Sequence, residues 1–297
     1  MIRKQPARYD PGSVLPGAGS ERMLVDGTEA AGVSTLDRGL HFGDGLFETI
    51  ACRAGRPRFL SLHLERLMSG CKRLQIAFHD EAAVRSEVEE LAHGSDRALV
   101  KVLVTRGSAV ARGYGFTGRE KATRITIRYA WPAEDSAPPH AGLKAGTLAL
   151  RLGENPLLAG LKHCNRLEQV LARAECLNRG LSEGILFSSS GRLVSGTMTN
   201  VFLVRGSTLQ TPLLDVCGVA GVMRRIVLRQ AASAGIEAHE CALDLADLRA
   251  ADEVFLTNAR VGIWPVRELD EQVLAPGALT HRLLEELTPL LEEPRDA

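Results

Sequence analysis

Gly160–Glu175 reads GLKHCNRLEQVLARAE, and the interpretation of the whole chain turns on its lysine, Lys162. A short apolar run, Pro156 to Leu161, leads into it. Behind it Leu167, Val170, Leu171, Ala174 and Leu177 recur at three- and four-residue steps, which predicts a helix over 163–179 with that face buried. Asn165 is a suitable N-cap and Gly180 a suitable stop. A lysine at such a boundary is either a surface charge or a nucleophile. A nucleophilic lysine must be partly desolvated, which lowers its pKa. A cation at a helix start also opposes the helix dipole, so the position is not one chosen for a solvent-facing charge. Only six of the 36 basic residues are lysines, at positions 4, 72, 101, 121, 144 and 162, so the candidates are few.

Working outward, the 297 residues allow two medium domains or one large one. Hydrophobic residues make up 45% of the chain, enough for a sizeable core. Lys+Arg and Asp+Glu are both 36, so the net charge is zero, which argues against nucleic acid or an anionic membrane as partner. The six cysteines (52, 71, 164, 176, 217 and 241) form no C-x-x-C pair. The first residues, MIRKQPARYDPGS, show no apolar signal core, and no run reaches transmembrane length. The expectation is a cytoplasmic protein with reduced thiols. H-E-x-x-H is missing, and His163-Cys164 is the sole adjacent His/Cys pair, so no metal site is expected.

Residues 1–20, rich in Pro and Gly, read as an irregular leader. Strand-like patterns with tight turns run over 21–52, followed by helices at 63–77 and 82–92 and strands at 98–105 and 124–129. Trp131 to Gly142 holds three prolines in a polar stretch and is taken as a linker. It divides a small N-terminal domain, 1–130, from a larger one, 143–297. In the latter, strands (147–152, 184–188, 200–204, 254–257) alternate with helices (163–179, 222–234, 245–250, 279–292). Strands cluster on both sides, so the class is α+β.

Four further stretches offer chemistry. Gly218–Arg225, GVAGVMRR, puts a glycine pair before a helix: either an anion site of free N–H groups or a plain turn. Val104–Gly115, VTRGSAVARGYG, carries Arg106 and Arg112 on a loop, suited to carboxylates or merely solvated. Asp37–Ile50, DRGLHFGDGLFETI, is dense in glycines and acids before an apolar strand, and either brings backbone close to a ligand or is a structural hairpin. Ser188–Phe202 sets two strands around a turn at Ser190-Gly191, with small polar residues after it.

In this order these stretches resemble the fold-type IV pyridoxal-phosphate enzymes, a group that includes branched-chain and D-amino-acid aminotransferases and aminodeoxychorismate lyases. The resemblance spans roughly Leu24 to Val266. It implies a two-domain fold, with a smaller N-terminal α/β domain and a larger C-terminal domain built on a barrel-like sheet. It also implies a homodimer with sites between the domains near the subunit interface. The cofactor would be pyridoxal 5′-phosphate, with Lys162 as its Schiff-base lysine. Arg66, in HLERL, matches the arginine used on the cofactor phosphate, and Gly221, Val222 and Met223 match the phosphate-cradling helix start. Asn258 and Ala259, in EVFLTNARVGIWPV, fall at the phosphate end of the last cofactor-side strand, and Ser195 and Asn200 also fall on cofactor positions. Leu40, His41, Arg106 and Arg112 would meet the substrate, with Arg106 the better fixed arginine.

Within the group, LLAGLKHCNRLEQVLARAE most resembles the lyases. That implies loss of pyruvate from 4-amino-4-deoxychorismate to give 4-aminobenzoate, with Lys162 as nucleophile, base and acid. The competing expectation is an aminotransferase for D- or branched-chain amino acids. One position departs from the family: five residues before the Asn of TNVF, where a glutamate usually meets the pyridine nitrogen, this chain has Ser195. A hydroxyl cannot keep that nitrogen protonated, which weighs more against a transaminase than against a lyase whose elimination is driven by aromatisation.

Overall fold

The computed structural model describes residues 22–30, 32–109, 112–132, 142–274 and 277–292. The leader and most of the expected linker, 133–141, lie outside the described residues.

The first half forms a six-stranded antiparallel sheet. Its strands are Met23–Val25 (β1), Thr28–Glu29 (β2), Gly45–Arg53 (β3), Arg56–Pro57 (β4), Arg97–Thr105 (β5) and Thr123–Ala130 (β6), in the order β2-β1-β6-β5-β3-β4. Val100, Val102 and Val104 of β5 are fully buried, since β5 lies between β3 and β6. Two helices, Leu60–Arg73 (α2) and Glu81–Ala92 (α3), cover one face. Their Leu60, Leu64, Leu67, Val84, Val88 and Leu91 share one core with Ile50 and the β5 valines. The helix expected at 63–77 therefore begins three residues earlier and ends at Arg73. The strand-like reading of 21–52 also needs correction, because Arg38–Phe42 forms a short helix (α1). Asp37 caps it by accepting from the Gly39 N–H, and Gly43 ends it at φ 62°.

The second half is built on a nine-stranded mixed sheet. Leu143–Leu152 (β7), Glu183–Ser188 (β8), Leu193–Gly196 (β9), Asn200–Arg205 (β10), Thr208–Pro212 (β11), Ala238–Cys241 (β12), Glu253–Asn258 (β13) and Gly262–Leu269 (β14) run in the order β12-β11-β10-β13-β14-β7-β8-β9. Gln272–Val273 (β15) pairs with β14. The β14–β7, β7–β8 and β11–β12 pairs are parallel. At the far end β9 turns back beside β10 and β11, so the sheet curls into a half-barrel. Val222–Ser233 (α5) and Ala278–Glu292 (α7) pack on one side, where Val222, Met223, Ile226, Val227 and Ala231 are buried with Phe202 and Phe255. Leu245–Arg249 (α6) completes the chain order.

Leu167–Arg179 (α4) lies on β7 and β8 through Ala172 and Cys176, its two buried residues. Contact is close enough that a Cβ on Gly184 would stand 2.6 Å from Cys176 Sγ. The expected buried face is therefore wrong for the single chain. Leu167, Val170, Leu171 and Leu177 are 54–70% exposed, and Ala174 is exposed as well. The helical spacing was real, but only the small-residue face fits so near the sheet. Asn165 does not cap this helix; Arg166 holds the N-cap position, while Gly180 ends the helix at φ 63°.

Candidate active site

Lys162 lies in a short stretch stitched to both halves of the molecule. On one side the Phe47 N–H donates to the Lys162 carbonyl (3.0 Å) and the Cys164 N–H to the Gly45 carbonyl (2.9 Å). On the other, the Gly160 N–H donates to the Gly218 carbonyl and the Ala220 N–H to the Gly160 carbonyl, both at 3.0 Å. The lysine's backbone is thus fixed by β3 and by the glycine loop before α5. Its amine stands 4.3 Å from the Phe47 ring centroid. Burial first, then the Arg66 charge, lowers its pKa from the ordinary 10.5 to about 7, with Glu48 opposing. Near neutral pH a large share of this amine is unprotonated, the condition for a nucleophile or base.

Arg66 extends from α2 to the start of α5, where its Nη1 donates to the Ala220 carbonyl at 2.8 Å. Its Nε and Nη2 form a two-bond clasp on Glu48, at 2.7 and 2.5 Å. Glu48 also accepts from His63 Nδ1 at 2.6 Å, and both Glu48 and His63 are 1% exposed. Burial pushes the Glu48 carboxyl up, but the Arg66 charge and the His63 bond outweigh it and hold the group at about 2. Burial lowers the His63 pKa, and its Nε2 has no partner. Three of the five N–H donors of Arg66 are thus committed, leaving two beside the Ala220 turn that leads into α5.

The start of α5 is shaped to receive an anion. Gly221 is its N-cap, without any side-chain cap, and the first-turn N–H groups of Val222 and Met223 lead the helix. Asn200 donates from Nδ2 to the Val219 carbonyl at 2.8 Å, and its Oδ1 would lie 2.0 Å from a Cβ on Gly221. Glycine is therefore required there. Asn258 Oδ1 accepts from the Arg260 and Val261 N–H groups at 3.0 Å and so shapes the turn at Ala259. Its Nδ2 donates to the Met198 carbonyl at 3.4 Å. Ser195 is buried on β9 opposite Leu186, with Oγ donating to the Gly196 carbonyl at 2.9 Å. The loop between Ser195 and Asn200 rests on Glu183, which accepts from the Thr197 N–H (3.0 Å) and hydroxyl (2.5 Å).

The structure thus links Lys162, Arg66, Asn200, Gly221, Val222, Met223, Asn258 and Ser195 through a continuous set of contacts. A phosphate fits it: a bare helix N-terminus, a glycine that lets backbone approach, and an arginine with donors to spare. The expected substrate residues lie on a separate layer, joined to the lysine loop where Asn165 Nδ2 donates to the Gly43 carbonyl at 3.1 Å. Leu40 is 69% exposed, and His41 Nε2 bonds the Thr35 carbonyl at 2.7 Å. Of the two loop arginines Arg106 is the better fixed, as expected. Arg106 is 5% exposed, clasps Asp44 at 2.8 and 3.0 Å, and donates to the Leu74 and Gln75 carbonyls. With its donors committed inward, it fixes the loop, whereas Arg112 is exposed. Glu48, His63 and Glu183 were not singled out in the sequence. Glu48 had a signal: it shares the inward face of β3 with Leu46 and Ile50.

The amino-transferase class IV profile matches residues 45–269. The aminodeoxychorismate lyase of Vibrio harveyi is 35% identical over 87% of this chain and 97% of its own length. The crystal structure of 4-amino-4-deoxychorismate lyase from Pseudomonas aeruginosa superposes with a TM-score of 0.83 at 44% identity, covering 91% of this chain and all of that one. D-alanine aminotransferase of Bacillus licheniformis is 28% identical over 86% of this chain and 90% of its own.

Proposed function

The chain belongs to the amino-transferase class IV family, and on that premise we propose that it is a 4-amino-4-deoxychorismate lyase, releasing 4-aminobenzoate and pyruvate, a reaction that feeds folate synthesis. Its cofactor is pyridoxal 5′-phosphate, the cofactor of that family. Arg66 and the α5 N-terminus would hold the phosphate, and Lys162 the aldehyde carbon. When bound, the cofactor supplies an electron sink for the carbon from which a proton is lost. The observation that carries the reading is the Lys162 turn, tied by backbone hydrogen bonds to β3 and to the glycine loop that leads, with Arg66, into the α5 anion cradle.

In this reading Lys162 Nζ removes the proton from ring C4 of the substrate. The C3–O bond breaks, the ring becomes aromatic, and Lys162 returns a proton to the methylene carbon of the leaving three-carbon fragment, which departs as pyruvate. One amine thereby serves both proton transfers, which suits a pKa of about 7. Arg112 is our choice for a substrate carboxylate, with Leu40 and His41 at the rim. Ser195, placed toward the ring nitrogen, contributes no negative charge there, so a persistent carbanion is less favoured than an elimination. Domain limits of 1–130 and 143–297, with a linker at 131–142, are supported by the division of strands between the two sheets. A homodimer is supported by the bare apolar side of α4, which a second copy would cover. Among the described residues no helix is long and apolar enough to cross a membrane, and we place the enzyme in the cytoplasm.

The relatives that are aminotransferases support a second reading, amino-group transfer by D- or branched-chain amino acids. One experiment separates the two. The protein with its cofactor is given aminodeoxychorismate and, separately, D-alanine or a branched-chain amino acid with a 2-oxo acid. Release of 4-aminobenzoate and pyruvate is expected; amino transfer without 4-aminobenzoate would refute the lyase assignment.

A further inference from the structure

The turn that presents Lys162 is gripped by Arg166. Its Nε donates to the His163 carbonyl at 2.8 Å and its Nη2 to the Leu161 carbonyl at 3.4 Å, the carbonyls on either side of the lysine. A guanidinium bonded to carbonyls keeps its full charge, because they carry none. Among the described residues no carboxylate pairs with it. Glu168, the acid two residues on, accepts from the Gly153 N–H at 2.8 Å and opposes the Arg166 shift by its charge, without forming an ion pair with it. Burial lowers the Arg166 pKa, so the charge is held at a cost. Its reach is visible on His163, whose Nδ1 is buried without a partner and whose pKa falls to about 4, through burial and then Arg166.

We propose that Arg166 is a positioning residue: its clasp fixes the Lys162 turn, and its charge helps to keep the lysine amine in its neutral, reactive form. The inference rests on the reading of Lys162 as the reacting amine. The groups facing that amine are Phe47 and Glu48 from β3, Arg66 and His63 from α2, Lys101 from β5, and Arg166 from its own turn. Glu48 favours the ammonium form but is engaged by Arg66. A phosphate at Arg66 would compensate the Arg66 charge in the loaded enzyme. Arg166, bonded to the Leu161 and His163 carbonyls rather than to a carboxylate, is a cation whose effect persists.

Competitive acetylation of the full-length, cofactor-free chain with acetic anhydride reads the Lys162 titration directly, with exposed Lys121 as internal reference. In Arg166→Gln the titration should move up by about one pH unit, leaving about tenfold less neutral amine below pH 7. Arg166→Lys keeps the charge and loses the two-carbonyl clasp. Its Lys162 should titrate within a few tenths of a unit of wild type while kcat falls. An unshifted titration in folded Arg166→Gln, or an upward shift in Arg166→Lys equal to it, overturns the proposal. Should the glutamine variant not fold, Arg166→Met takes its place and is read in the same way, an upward shift supporting the proposal and an unshifted titration overturning it. The labelling needs no substrate, so it stands even if the wild type proves to make no 4-aminobenzoate.

Discussion

Helices α4 and α5 both follow a turn that carries chemistry, yet they are covered in opposite ways. Behind the Gly218–Gly221 turn, α5 buries Val222, Met223, Ile226, Val227 and Ala231. Behind Lys162, α4 buries only Ala172 and Cys176 and leaves its larger apolar residues bare. Periodicity in a sequence reports that a helix has an apolar side. It does not report whether the cover comes from the same chain or from another. The start of α5 is therefore backed by this chain's own core, whereas the helix after Lys162 leaves its larger apolar residues exposed in the single chain.

The comparison can be broken most severely at α5. Val227→Asp places an unpaired charge in a fully buried position and should cost more than about 4 kcal/mol, seen as insoluble protein or loss of the thermal transition. A soluble variant with near-wild-type melting would contradict the burial assigned to α5.

A second effect sits ahead of α4. The Lys162 pKa is lowered from 10.5 to about 7 in the fold, so the fold binds fewer protons there than the unfolded chain between those values. This penalty is small above pH 10.5, grows as pH falls, and is complete below about 7. Lys162→Met should therefore stabilise the protein by on the order of 5 kcal/mol at pH 6 and by less than about 1 kcal/mol at pH 10. Urea melts of both proteins at the two pH values check this; equal stability at pH 6 would mean that the amine is not held in its neutral form.

At the polar end of α5, Arg66→Ala should weaken cofactor binding by about 1.5–3 kcal/mol, measured by equilibrium titration with pyridoxal phosphate. It also leaves Glu48 buried with His63 as its remaining partner, so Arg66→Lys is the better control for folding. Unchanged affinity in both variants would remove Arg66 from the phosphate site.

The smallest change in chain stability belongs to α4. Leu171→Asp alters a residue 54% exposed and should shift single-chain stability by less than about 0.5 kcal/mol, while abolishing the proposed homodimer in sedimentation. A dimer that survives the substitution would place the interface elsewhere.

Much of this was legible in the chain itself, for identifiable reasons. β5 and β6 alternate or run apolar between turns, and the expected bounds at 98–105 and 124–129 lie within a residue of those found. The turn at Gly218–Gly221 and the helix behind it were readable because glycines precede an apolar helical run. β14 escaped notice, since Pro265 argues against a central strand although it pairs there with Phe255. α1 has five residues, too few for a period to declare itself. Arg106 and Arg112 look alike in sequence; only the fold shows that Asp44 and two carbonyls from the end of α2 absorb the first. Arg166 likewise reads as an ordinary charge after Asn165 until its carbonyl partners are seen.

The central claim is that Lys162, alone among six lysines, is the amine that carries the cofactor. Its most direct test is borohydride reduction of the protein after loading with pyridoxal phosphate, followed by proteolysis and mass mapping. The expected result is one reduced phosphopyridoxyl group, on the peptide containing Lys162, and none on Lys162→Met treated alike. A label on Lys101 or another lysine, or a Lys162→Met protein labelled as well as wild type, would contradict it.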